Sequence, residues 1–118
     1  MEVVLLSVIV LILDGIFLSL NRGFFNKQLV SVQKSEVSMN AFGAIMAYIF
    51  IVMSLYFFII REKKSVAQAF LLGLCIYGVY EYTNYAVFTN WRLKTTLVDT
   101  LWGGILFALT TFLYYKIK

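Results

Sequence analysis

The chain has 118 residues, 62% of them hydrophobic and 14% charged, and its mean hydropathy is +0.87, too apolar for a soluble domain of this size to cover its surface. The formal net charge of +4 comes from ten Lys and Arg against six Asp and Glu; these cations fall in short connections and at the C-terminus, where lipid headgroups are met, so no nucleic acid partner is expected. Histidine is absent and Cys75 is the single cysteine, which excludes imidazole chemistry, an internal disulfide and a cysteine metal cluster; neither a metal nor a cofactor is expected.

A membrane-spanning helix takes about 20 apolar residues, so four spans would use roughly two thirds of the chain and leave a single domain, 1–118, with short connections. The expected fold is all-α, an integral membrane four-helix bundle threaded up and down. The first span, 3–20, is apolar except for Ser7, Asp14, Gly15 and Ser19, and exits at Asn21-Arg22-Gly23. No small-residue cleavage site follows it, so it reads as a retained helix rather than a signal peptide. Asp14 lies about 10 Å from that exit, and Asn21, seven residues on, shares its face.

In the connection 24–36, Phe24, Phe25, Leu29 and Val32 alternate with Lys27, Gln28, Lys34 and Ser35 in a way that fits a short interfacial helix; an ordinary polar loop fits equally well. The second span, 41–60, is uncharged and carries Tyr48, Ser54 and Tyr56, with Gly43, Ala44 and Ala47 as a small-residue patch. Arg61-Glu62-Lys63-Lys64 ends it. Ser65 can cap the third span, 66–88, on which Tyr77, Glu81, Asn84 and Phe88 line one face. The fourth span, 96–115, is expected to begin at Thr95 or Thr96; Asp99, Trp102, Gly103 and Leu106 share one side of it, and Gly103-Gly104 permits close backbone approach.

Up-down threading puts Asp14, Glu81, Asn84 and Asp99 in one layer, about 5 to 10 Å inside the end marked by Asn21 and Trp91, with Tyr77 and Trp102 beside it. Three carboxylates in a low-dielectric layer cannot all stay ionised without compensation. A shared proton, a bound cation, or Arg22, Arg92 or Lys94 folding inward would supply it. The layer therefore suggests a cation or proton channel or transporter using Asp14, Glu81, Asn84, Asp99 and Tyr77, with Asn21, Arg92 and Trp102 in support. Interhelical polar glue in a noncatalytic scaffold or interaction protein explains the same residues. A lipid-modifying enzyme, with one carboxylate as general base, is the least favoured reading, because no histidine, activated nucleophile or metal triad accompanies it.

Partners are expected to be membrane lipids and a small cation or protons. The small-residue patches suit internal packing or a homo-oligomer equally. Lys and Arg divide five to five between the two sides, and their density near the span ends tips both termini toward the cytoplasmic side.

The segments Leu13-Asp14 with Phe17-Leu18, Tyr80-Glu81-Tyr82-Thr83-Asn84 with Ala86 and Trp91, and Val98-Asp99-Thr100-Leu101-Trp102-Gly103 resemble the DUF2177 family of small predicted membrane proteins of unknown function. In that family the central motif more often reads Tyr-Asp-Leu-Thr-Asn and the first ends in Trp-Leu. Here Glu81 and Tyr82 stand at the Asp and Leu positions and Phe17 at the Trp position, so the carboxylate is kept but one methylene longer. The resemblance implies a four-helix membrane protein and brings no established activity.

Overall fold

A computed structural model of the chain describes residues 2–34 and 40–118, and five helices form within them. They are α1 (Glu2–Leu20), α2 (Arg22–Gln33), α3 (Ala41–Leu55, prolonged by a π-turn over Tyr56–Ile60), α4 (Val66–Val87) and α5 (Leu93–Ile117). Among the described residues there is no strand. In hydrocarbon a spanning segment must satisfy its backbone internally, and these apolar, proline-free runs can do so only as helices. By length and apolar composition α1, α3 with its π-turn, and α5 can each cross a membrane. Glu81, Asn84 and the tyrosines of α4 leave it without a stretch as apolar as those of the other three, although it is 22 residues long.

The helices pack in the order α3, α1, α5, α4, and the hairpin of α4 and α5 is the most extensive contact. Glycine allows that closeness: a Cβ on Gly73 would lie 2.1 Å from the Gly103 carbonyl oxygen, and one on Gly103 would lie 2.2 Å from the Tyr77 ring. The patch at Gly43 behaves differently, since among the described residues a Cβ there would meet the Asn40 side chain of its own helix cap, no nearer than 3.8 Å. The apolar core (Leu6, Val10, Leu55, Ala69, Leu106 and Phe107) fills the half of the molecule nearer the 61–64 turn.

Helix ends are fixed locally. Asn40 accepts the Gly43 N–H at 3.0 Å, and Ser65 with Gln68 forms a reciprocal capping box that starts α4. Lys34, at φ 64°, closes α2 by donating its N–H to the Val30 carbonyl at 2.7 Å. At one end of the long axis, which measures 44 Å, the Tyr115 hydroxyl donates to the Lys64 carbonyl at 2.7 Å.

Of its two expected forms the connection after α1 takes the helical one, over Arg22–Gln33 rather than 24–36, with position 34 as its cap; 35–36 lie outside the described residues. Two other expectations are corrected. Gln28, assigned to the polar stripe of that segment, is instead fully buried. Its Oε1 accepts the Arg92 N–H at 3.0 Å, the Arg92 Nε at 3.2 Å and the Thr95 hydroxyl at 2.7 Å, while its Nε2 donates to the Asn90 carbonyl at 2.9 Å. That is also why α5 starts at Leu93 rather than at Thr95 or Thr96. Arg92, at the N-cap, offers no side-chain cap, and Gln28 fastens the first turn from another helix.

Candidate functional site

Four helices and one turn each contribute to the polar layer. Asp14 projects from the middle of α1 and is 7% exposed. Its Oδ2 accepts the Tyr48 hydroxyl of α3 at 2.5 Å and its Oδ1 the Trp102 Nε1 of α5 at 2.9 Å. Both oxygens are therefore engaged, and three helices are joined through one carboxylate. Phe17, one turn along α1, stacks on Trp102 with ring centroids 4.2 Å apart and planes 3° from parallel, which holds the indole in its donating orientation.

Glu81 on α4 is 2% exposed and accepts the Trp91 Nε1 at 3.0 Å. Its other neighbour is Asp99 of α5, whose carboxyl group lies close enough to interact with it directly. Two carboxyl groups held so near each other in a low-dielectric layer disfavour the state in which both are ionised. Tyr77 stands in the neighbourhood of Asp14, Asp99, Tyr48 and Glu81. Its position is set by Gly103, against whose bare Cα the ring packs.

Asp99 is half-buried because it also borders a cleft of about 390 Å³ between α3 and α4. Ala47, Phe50 and Ser54 form one wall, and Tyr77 and Tyr80 stand on the other. Phe50 is 59% exposed and Tyr80 57%, so the cleft opens sideways on the outer surface of the helices.

The remaining sequence-derived candidates lie apart. Asn84 is half-buried on the same face of α4, and among the described residues no hydrogen bond joins its side chain to a carboxylate. Asn21 uses its Nδ2 to donate to the Phe17 carbonyl at 2.9 Å, finishing α1. Arg92 reaches Gln28 and lies 5.4 Å from the Phe24 ring centre, with Lys94 5.7 Å from the same ring, so neither neutralises the carboxylates. Among the described residues the one ion pair is Arg61 with Glu62, on the surface at the opposite end, and no three His, Cys, Asp or Glu side chains converge to hold a metal ion.

Sequence reasoning uses Trp91 to mark the end of the layer and counts Tyr48 only among the polar groups of the second span; both are donors to the layer. A tryptophan in a turn following a buried acid is a usable signal for the first. Nothing local marks Tyr48, since its partner is 34 residues away on another helix.

The model of a family described as "Predicted membrane protein (DUF2177)" matches residues 1–115. The chain belongs to this family. No curated protein and no solved structure gives a match. In this DUF2177 protein the three segments that carry the resemblance meet side chain to side chain: Asp14 and Phe17 of the first with Trp102 of the third, Glu81 of the second with Asp99 of the third. The Glu81 carboxylate is also the acceptor of the Trp91 indole.

Proposed function

We propose that this DUF2177 chain is a single-domain, multi-pass membrane protein of four spans threaded up and down, and that its Glu81–Asp99 pair carries protons or a small cation through the layer. At 22 residues and about 1.5 Å per residue, α4 is some 33 Å long, enough to cross a hydrocarbon core. The threading draws support from the two ends. Tyr115 meets Lys64 at one, and Gln28 meets Asn90, Arg92 and Thr95 at the other.

The observation that carries the functional reading is the juxtaposition of two acids on different helices with, among the described residues, no ion pair to neutralise them. Burying two carboxyl groups together is costly, and a purely structural contact could be built from neutral groups. A pair that exchanges a proton has use for both. With no convergent set of three ligating side chains among the described residues, the geometry suits a proton better than a coordinated metal cation.

The test is reconstitution in liposomes with an internal pH-sensitive dye under imposed proton, sodium or potassium gradients. Wild-type flux above that of empty vesicles, reduced at least tenfold by Glu81→Gln or Asp99→Asn singly, supports the reading. Flux indistinguishable from empty vesicles under every gradient removes it. A noncatalytic scaffold then takes its place, a role that Asp14 already suits because neutral donors occupy both its oxygens.

A further inference from the structure

The cleft between α3 and α4 is much larger than a proton needs. A volume of about 390 Å³ falls within the range of small-molecule sites, about 300 to 1,000 Å³, and its walls are mainly apolar and aromatic. The carboxyl group on it, Asp99, is the one that neighbours Glu81. Its mouth lies on the outer surface of the helices, between Phe50 and Tyr80. Asp99 lies six residues into α5, about 9 Å along the helix, so a ligand would reach it from the hydrocarbon rather than from water.

We propose that this cleft binds a lipophilic organic cation, an amine or quaternary ammonium amphiphile dissolved in the bilayer, with its charged centre at Asp99 and its apolar body between Phe50, Tyr77 and Tyr80. The inference rests on the proton-carrying reading of the Glu81–Asp99 pair and adds to it a substrate class. Charge complementarity selects the cation. A neutral lipid tail would offer the acid no opposite charge in a low-dielectric site, and an anion would be repelled by it. The aromatic faces favour a diffuse organic cation, whose weak hydration lowers the cost of leaving water, over a bare metal ion that requires a shell of oxygen ligands. Exchange follows from charge balance. One monovalent cation entering as one proton leaves keeps the net charge of the site unchanged, so the two compete for the same carboxyl pair.

The experiment measures equilibrium binding of radiolabelled tetraphenylphosphonium to the full chain in phosphatidylcholine nanodiscs, with empty nanodiscs as the blank, and records proton release in weakly buffered solution. Saturable binding with about one proton released per cation is expected. Asp99→Asn should weaken it at least tenfold, Asp99→Glu should restore most of it, and Ala47→Phe, which fills the cleft wall without touching the acids, should abolish it. Circular dichroism and the elution profile establish that each variant is folded. No saturable binding above empty discs, or equal binding by Asp99→Asn, overturns the inference. Proton flux in liposomes without any cation binding removes the inference and leaves the proton reading standing. Asp99-dependent binding with no proton released supports the cleft and removes the proton reading.

Discussion

The Trp91 indole, in the turn between α4 and α5, donates to the buried Glu81 carboxylate ten residues earlier at 3.0 Å. The turn thereby reaches back into the membrane layer and supplies the neutral donor that the acid lacks on its own helix. Trp91→Phe keeps most of the ring and removes the donor. A loss of about 1 to 3 kcal/mol is expected, the usual effect of leaving a buried acceptor unmatched. Reversible unfolding in mixed micelles would measure it, and a Trp91→Phe variant as stable as wild type would show that the bond contributes nothing.

Asp14 offers a sharper comparison, because Tyr48 and Trp102 each occupy one of its oxygens. Tyr48→Phe and Trp102→Phe should each cost about 1 to 2 kcal/mol. Together they strip the carboxylate of both donors, and the double variant should exceed the sum of the singles. Strict additivity in a double-mutant cycle would mean that the two bonds act independently.

Close approach of α4 and α5 depends on hydrogen at Gly73. Gly73→Leu would drive its side chain into the Gly103 carbonyl and the Phe107 ring, and should cost at least about 3 kcal/mol or prevent folding. Gly15→Ala is the matched control: among the described residues nothing lies within 4 Å of the place its Cβ would take, and in mid-helix the change should be neutral or stabilising by up to about 1 kcal/mol. Thermal stability of the two purified variants in one detergent decides the point.

Threading is open to direct measurement. In a Cys75→Ser background, single cysteines at Lys27 and Thr89 should react with a membrane-impermeant maleimide from one side, and those at Glu62 and Lys118 from the other. Labelling of Lys27 and Glu62 from the same side would contradict four alternating spans. The side on which Glu62 and Lys118 react also tests the cytoplasmic placement of the termini.

Gln28 should matter more than its type suggests. Gln28→Ala would free the Arg92 N–H and the Thr95 hydroxyl and release α2 from the 89–92 turn. A faster amide exchange confined to residues 22–34 and 89–95 is expected. Unchanged exchange there would show that Phe24 and its two cation–π contacts suffice to hold α2.

These residues show which parts of the structure can be read from the chain. The positions of α1, α3, α4 and α5 follow from hydrocarbon length and apolar runs, quantities that local sequence contains. The nearness of Asp14, Glu81 and Asp99 follows from counting residues from the span ends, because helical rise is constant. What cannot be read is pairing across helices. Periodicity places Glu81 on a face of α4 but does not say that Asp99 rather than Arg92 stands opposite. Arg92 is drawn away by Gln28 and Phe24, partners more than sixty residues from it in the chain. Gln28 misleads for the same reason: by composition it is a surface residue, and only the unmatched donors of another segment make its burial favourable.

The π-turn over Tyr56–Ile60 places one more residue in that turn than an α-helix would hold, with the Arg61 N–H reaching the Tyr56 carbonyl at 2.8 Å. Such a turn behaves as a one-residue insertion absorbed by the backbone. Deleting a single residue between 56 and 60 should therefore collapse it to ordinary α-helix while Val52 and Leu55 before it, and the charged turn after it, keep their orientations. Length variation among related chains can enter at this point without rotating the Tyr48 side of α3 away from Asp14, so an alignment that opens a one-residue gap here would be structurally sound.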